Sequence, residues 1–400
     1  MITYIIRRVL AMIPALLGIS LITFTLMHMT RGGPFSNEHS TPQVLAALMR
    51  AYRLDEPIWP TFYGDGAAVW QTVVGGLGIL GLLGGLGLLW WRRRPADDLL
   101  VADPNVRPPL VSTGQLAGLG ILVGGILVIW WIAMTGQGPA ANLTGVGFAP
   151  GQFLRFLWNA LHLDLGPSFS QQPRTVMQII VEAVPNSFVL GITAFAMLVG
   201  MAIPIGVIAA VKQNTWIDVL ASIFSLIGYS IPNFVLGILL ILITGLWLNI
   251  LPIAHWGDPI DVVLPAFVLA IRPMAVLTRL TRASMLEVLN QDYIRTAWAK
   301  GLSGRVVLIR HALRNGLLPV VTVMGDQLSD LVTGSLVIET LFNIPGIGQW
   351  FVQSINARDY GMIMGTTVFY AVLVLLINLV VDLLYGVIDP RVRLGAAARS

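Results

Sequence analysis

Apolar runs of about twenty residues, nearly free of charge, recur along the whole chain, and each is long enough to cross a hydrocarbon core of about 30 Å as a helix. They fall at roughly 9–29, 68–91, 114–135, 187–211, 221–247, 261–278, 317–339 and 362–388. The pattern predicts an all-α polytopic membrane protein with about eight spans. The first run follows a basic start, as a signal peptide would. A signal h-region holds only about 7–15 apolar residues, however, and no A-x-A-like site follows, so an uncleaved span is expected. The runs at 68–91 and 114–135 stand apart. "GGLGILGLLGGLGLLWW" and "LAGLGILVGGILVIWW" carry no polar side-chain group except the indole N–H, and each ends in a Trp pair suited to a membrane interface. Either they form a small-residue hairpin packed on a partner helix, or a lipid-facing appendage.

Between two of these runs lies a polar stretch, "YIRTAWAKGLSGRVVLIRHALRNGLLP" at 293–319. Its spacing predicts two short helices, with one stripe of Tyr293, Ile294, Ala297 and Trp298 and another of Val306, Ile309 and Leu313. "KGLSG" supplies the glycines of a bend, and Ser303 is placed to cap the second helix. Three readings stay open from spacing: an amphipathic patch on anionic lipid, a surface for a cytoplasmic protein, or a solvated loop.

Composition agrees with the pattern: 56% of residues are hydrophobic, 11% are charged, and mean hydropathy is +0.79. Of the 24 Lys and Arg residues, seven fall between Arg279 and Arg314. With the N-terminus inside, seventeen of the basic residues fall in interior loops and tails, six outside, and Arg272 within a span. This satisfies the positive-inside rule and predicts cytoplasmic termini and a cytoplasmic 293–319 loop.

Charges inside spans are expensive and mark candidate function. Counted from the predicted boundaries at about 1.5 Å per residue, Arg272 lies roughly 16 Å from one face and Asp326 roughly 14 Å from the other. The two are therefore level, with Asp330 a turn beyond. They are read as an ion pair between helices, as groups lining a translocation cavity, or as misplaced boundaries. Asn378 and Asp382 share a face of the last span. Ser230, Pro232 and Asn233 mark an interrupted helix, either a gate or passive curvature.

Several chemistries are excluded. The chain has no cysteine, hence no disulfide or thiol catalysis. Its only lysines, Lys212 and Lys300, fit no phosphate-cradling G-x-x-x-x-G-K-[ST] loop. The five histidines show no metal-ligand spacing, and G-x-S-x-G is absent. No catalytic residue, resident metal or nucleic-acid partner is expected. A channel or secondary transporter fits the span count but leaves the basic loop without a role.

The block "DYIRTAWAKGLSGRVVLIRHALRNGLLPVV" resembles the coupling loop of ABC importer permeases of the dipeptide/oligopeptide branch. "IIRRVLAMIPALLGISLITFTLMHM", "HLDLGPSFSQQPRTVMQIIVEAVPNSFVLGITAFAMLVGMAIPIGVIAA", "SIPNFVLGILLILI", "GSLVIETLFNIPGIGQWFVQSINARDYGMIMG" and "NLVVDLLYGVIDPRVRL" resemble other blocks of that branch, in the same order. Where ABC permease loops generally read Glu-Ala-Ala, this chain has Arg295-Thr296-Ala297. The resemblance implies a type I importer core of six spans, interrupted by an inserted two-span hairpin at 63–151 with a cytoplasmic linker. Residues 1–62 then form the first span and the start of an external segment, and 152–400 the remaining five spans with a coupling loop at 283–315. It implies that Ala297, Gly301, Leu302, Ser303 and Val306 form an elbow docking on a cytoplasmic ATPase subunit, flanked by Arg295, Lys300 and Arg305. It further implies a multi-pass protein of a bacterial or archaeal plasma membrane. The implied partners are a homologous second permease, one or two kinds of ATPase subunit that bind ATP and Mg, an extracytoplasmic binding protein, and membrane lipid. Peptides are the implied cargo, with nickel chelates, glutathione or oligosaccharides as alternatives. Ser230, Pro232, Asn233, Arg272, Asp326, Asp330 and Asn378 are the pathway candidates.

Overall fold

A computed structural model describes residues 2–29, 42–52, 54, 61–63, 77–81, 83–84, 124–125, 147–149, 151–253, 255–333 and 336–388. The chain divides into two compact units, residues 1–177 with 389–400, and residues 178–388. Apart from the short helical pieces at 77–81, 83–84 and 124–125, the two glycine-rich spans lie outside the described residues.

In the first unit, α1 (Ile2–Met29) is followed by α2 (Pro42–Ala51), the strands β1 (Thr61–Tyr63) and β2 (Gly147–Ala149), and α3 (Gly151–Leu161). The apolar run of α1 buries Leu21, Phe24 and Met27, and the Phe24 ring meets Phe153 of α3 with centroids 5.1 Å apart. The strands pair antiparallel, with Thr61 opposite Ala149 and Tyr63 opposite Gly147. The two ends of the segment 63–151 are therefore hydrogen-bonded neighbours.

Among the described residues, the second unit has helices as its only elements. It runs α4 (Val176–Val211), α5 (Trp216–Ser230), α6 (Asn233–Leu240, continued as wider i→i+5 turns over Ile241–Trp247) and α7 (Val263–Leu289). Then come α8 (Asp292–Ala299), α9 (Gly304–Gly316), α10 (Leu318–Val332), α11 (Leu336–Leu341), α12 (Ile347–Ala357) and α13 (Tyr360–Ile388). The centre is α7, whose Ala266, Val268, Ala270, Met274 and Leu277 are inaccessible or nearly so, packed with Leu190, Leu198, Val320, Leu331 and Ile338. Association inside a membrane relies on close van der Waals contact, so small residues sit where helices touch. A Cβ on Gly206 of α4 would lie 2.6 Å from Thr281 Cβ of α7, and one on Gly191 would strike the backbone of Leu331 in α10.

Among the described residues, four helices are long and apolar enough to span a membrane, or up to six if each of two bent pairs counts as one span. Three of the predicted runs need correction. The run 221–247 is not one rod: α5 and α6 meet at 108°. Ile231 is extended (φ −89°, ψ 128°) ahead of Pro232, because the proline ring disfavours helical backbone in the residue before it. The run 317–339 stops at Val332, and α11 begins separately at Leu336. The run 261–278 continues as helix to Leu289, so Arg279 and Arg282 belong to α7 and not to a loop. Hydropathy locates the apolar part of a helix, whereas "RLTRASMLEVL" keeps good helix formers past it.

Candidate functional site

The elbow is built on α8 and α9. Ile294 and Ala297 of α8 and Val307 and Ala312 of α9 are buried against Val207 and Ala210 of α4 and Met285 of α7. This own core fixes the elbow to the bundle. Gly301 makes the turn at φ +75°, a region costly for residues with a Cβ, and a Cβ there would meet nothing within 4 Å. Three expectations need correction. Ala297 is only 5% exposed, so it anchors the elbow and presents no surface. Ser303 precedes α9 in extended backbone, yet its side chain makes no capping hydrogen bond. Of the stripe Val306, Ile309 and Leu313, only Leu313 packs inward. Residues 307–312 form i→i+5 turns, which shift the register so that Val307 and Ala312 face in, while Val306 and Ile309 are exposed. The outer surface of the elbow thus carries Tyr293, Trp298, Val306 and Ile309, ringed by Arg295, Lys300, Ser303 and Arg305, with Leu302 half-buried beneath.

The polar groups predicted inside the spans separate into distinct places. Arg272 and Asp326 do not pair. The Arg272 guanidinium lies over the Tyr229 ring of α5, 5.5 Å from its centroid. On α10 it is Ser329 and Leu331 that turn into the packing, whereas Asp326 and Asp330 share an exposed face. Being level across two helices did not put the charges on facing sides. Ser230 and Pro232 are exposed at the α5–α6 bend; Asn233 is half-buried, and its Oδ1 has no hydrogen-bond partner. Asn378 is half-buried on α13.

Four groups escaped the sequence reading. Asp218, in the first turn of α5 and 5% exposed, accepts from Arg282 Nε at 2.5 Å and Nη2 at 2.7 Å, and from the Asn214 N–H at 3.0 Å. This bidentate pair ties α5 to the end of α7 that leads into the elbow. Arg279 reaches the same Tyr229 ring as Arg272, at 5.7 Å. Fully buried Glu339 of α11 accepts from the N–H groups of Gly348 and Gln349 at the start of α12, at 2.7 and 3.3 Å. Ser187 of α4 accepts from the neighbouring Ile347 N–H at 2.9 Å. Only the local step from Glu339 to Gly348 was within reach of a sequence window; Asp218 and Arg282 are 64 positions apart.

Among the described residues, His255, Asp258 and Asp261 bring three possible ligand atoms within 4.8 Å of one another. Asp261 Oδ2 already bonds His255 Nδ1 at 2.7 Å and accepts from the Asp258 N–H at 2.8 Å. The group serves as a clasp that closes the loop ahead of α7.

The family model described as "Binding-protein-dependent transport system inner membrane component" matches residues 202–394. The dipeptide transport system permease protein DppB of Bacillus subtilis (strain 168) is 48% identical over 61% of this chain and 79% of its own length. The DppB protein of Escherichia coli (strain K12) is 40% identical over 60% of this chain and 80% of its length. A third relative, DppB of Lactococcus lactis subsp. cremoris (strain MG1363), is 32% identical over 98% of this chain and 100% of its length, so that its alignment runs through 63–151. A solved structure of the MetNI methionine ABC transporter in inward-facing conformations is 20% identical, covering 55% of this chain and 99% of that one, with a TM-score of 0.45.

Proposed function

Since the chain belongs to the family of binding-protein-dependent transport system inner membrane components, we propose that it is a peptide-importing permease subunit whose basic elbow docks on a cytoplasmic ATPase. The observation that carries this reading is the elbow, which keeps its own small core and still leaves Tyr293, Trp298, Val306 and Ile309 exposed amid arginine and lysine. A loop with no partner would have no reason to leave two aromatic and two aliphatic side chains in water beyond a satisfied core. The apolar centre supplies contact, and the basic rim steers an acidic cleft.

In this reading both termini and the elbow face the cytoplasm, and a homologous permease completes the pore. A binding protein delivers peptide at the opposite face. ATP and Mg bind to the ATPase pair, whose closure pushes on α8 and α9. The push passes through the shared core to α4 and α7, and through Asp218–Arg282 to α5. It ends at the α5–α6 bend, where Ser230, Pro232 and Asn233 lie on the pathway, with Arg272, Asp326, Asp330 and Asn378 further along it. A charge facing lipid at the middle of a span costs about 2.5–3.5 kcal/mol on insertion scales, which favours a watered pathway for the exposed Arg272 and Asp326.

The test compares two substitutions at Gly301. Because space is open there, only backbone strain is at issue. Gly301→Asn tolerates the left-handed conformation and should retain ATPase co-purification and uptake. Gly301→Val should keep normal membrane levels yet lose both. Full ATPase association and coupled uptake in Gly301→Val would overturn the docking role. ATP turnover by the purified chain alone, after controls for contamination, would overturn the permease reading itself.

A further inference from the structure

Helix α7 carries three arginines, Arg272, Arg279 and Arg282, and they are treated differently. Arg282 forms the bidentate pair with Asp218. Arg272 and Arg279, seven positions apart and so on one side of the helix, are both exposed, and both converge on a single ring, Tyr229 of α5. No carboxylate among the described residues pairs with either of them, although the neighbouring Arg282 shows that this interface accommodates one. The approach is arranged by Gly228: a Cβ there would stand 3.2 Å from Ala275 Cβ and 3.3 Å from the Ile271 carbonyl, so its absence lets Tyr229 come close to α7.

We propose that Arg272, Arg279 and Tyr229 form an intramembrane subsite for the C-terminal carboxylate of the transported peptide; this rests on the peptide-permease reading above. The geometry of a guanidinium carries the argument. An aromatic ring attracts a guanidinium through its quadrupole and takes none of its five N–H donors. Tyr229 draws in the two guanidinium carbons, 5.5 and 5.7 Å from its centroid, without using a hydrogen bond, and the planar fork of each can take a carboxylate bidentately. Two cations gathered at one ring repel each other, and an anion bound at either guanidinium lowers that repulsion. Tyr229 stands at the last turn of α5, thirteen positions from Trp216, or about 20 Å along the helix. The subsite is exposed beside the α5–α6 bend, where the proposed pathway must turn. Every linear peptide has one C-terminal carboxylate whatever its side chains, so such a subsite accepts peptides without reading their sequence.

The experiment is saturation-transfer NMR on the full chain, purified in a neutral maltoside detergent, with dialanine, dialanine amide and inorganic phosphate as probes. Dialanine should receive saturation, and the amide at least about five-fold less. Arg272→Gln with Arg279→Gln should abolish the dialanine signal, whereas Arg272→Lys with Arg279→Lys should retain part of it; gel filtration establishes that each variant is folded. Equal signals from dialanine and its amide, or an undiminished dialanine signal in the Gln variant, overturn the subsite. A phosphate signal as strong as that of dialanine reassigns the arginines to a phosphate or lipid headgroup and likewise overturns it. Peptide uptake by the reconstituted transporter is scored separately. Binding without uptake of any peptide removes the transport reading, and uptake without carboxylate-dependent binding removes the subsite.

Discussion

The Asp218–Arg282 pair is where a single substitution should be felt most. The Asp218 carboxylate is almost wholly buried and accepts three hydrogen bonds, two of them from Arg282, whose side chain is 29% exposed. Taking away one partner of a buried pair leaves a charge with no compensation, at a cost of about 3–5 kcal/mol. Arg282→Met should therefore lower the yield of monodisperse protein sharply. Asp218→Asn should do so less, because the remaining guanidinium can reach water. Replacing both, with Asp218→Leu and Arg282→Met, should recover most of the yield and thermal stability, since no lone charge remains. If the double variant is worse than either single one, the pair is stabilising beyond mutual neutralisation. If the Arg282→Met variant is as stable as the native chain, the pair contributes nothing.

At the scale of elements, the loop ahead of α7 is held by one carboxylate. The Asp258 N–H donates to Asp261 and chiefly lowers its pKa; burial acts the other way, and His255 adds a further lowering. A carboxyl held below its ordinary value near 3.8 stabilises the clasp fully above that value and ceases to do so as pH falls through the lowered one. Hydrogen exchange over 257–263 should thus stay slow from neutral pH to about pH 4 and accelerate below it, whereas Asp261→Leu should exchange fast throughout. Protection that is unchanged at pH 2 would mean the clasp does not hold the loop. Elements of this kind were only partly legible in the sequence. The apolar runs of α1, α4, α7 and α13 were plain, because period and length report burial in an apolar medium. The 108° break was visible as Ser230-Ile231-Pro232 but its angle was not, since proline frees the chain to bend without saying how far. The register of α9 was misread because i→i+5 turns have no sequence signature, and a 3.6-residue period placed Val306 where Val307 sits.

For the whole molecule, the β1–β2 pairing changes what the segment 63–151 means mechanically. Tyr63 and Gly147 stand opposite each other on neighbouring strands, so removing what lies between them leaves no gap to bridge. Replacing 64–146 by Asn-Gly should close a two-residue hairpin of the favoured type and preserve membrane level and transport. Loss of transport at normal membrane level would show that the segment takes part in the cycle. The family and the elbow were readable from the chain because both are written in local blocks. The Arg272–Tyr229–Arg279 and Asp218–Arg282 contacts were not, because each depends on which faces α5 and α7 present, and level along a helix does not determine face.

The bend between α5 and α6 also has a consequence for biosynthesis. Each arm has fifteen residues, about 22 Å at about 1.5 Å per residue, which is short of the roughly 30 Å needed to cross. Emerging from the ribosome before α7 exists, neither arm can stay in the membrane alone. The nascent pair should enter as one spanning segment, interrupted at Ile231, and close to 108° only when α7 arrives to hold α5. Since the chain has no cysteine, Ile231→Cys places a unique label at the break. A water-soluble maleimide should react poorly with this variant in chains truncated after residue 256, where the position lies in mid-membrane, and readily in chains extended through residue 290. Equal labelling at both lengths would mean that the bend forms without α7, and that Pro232 alone shapes it.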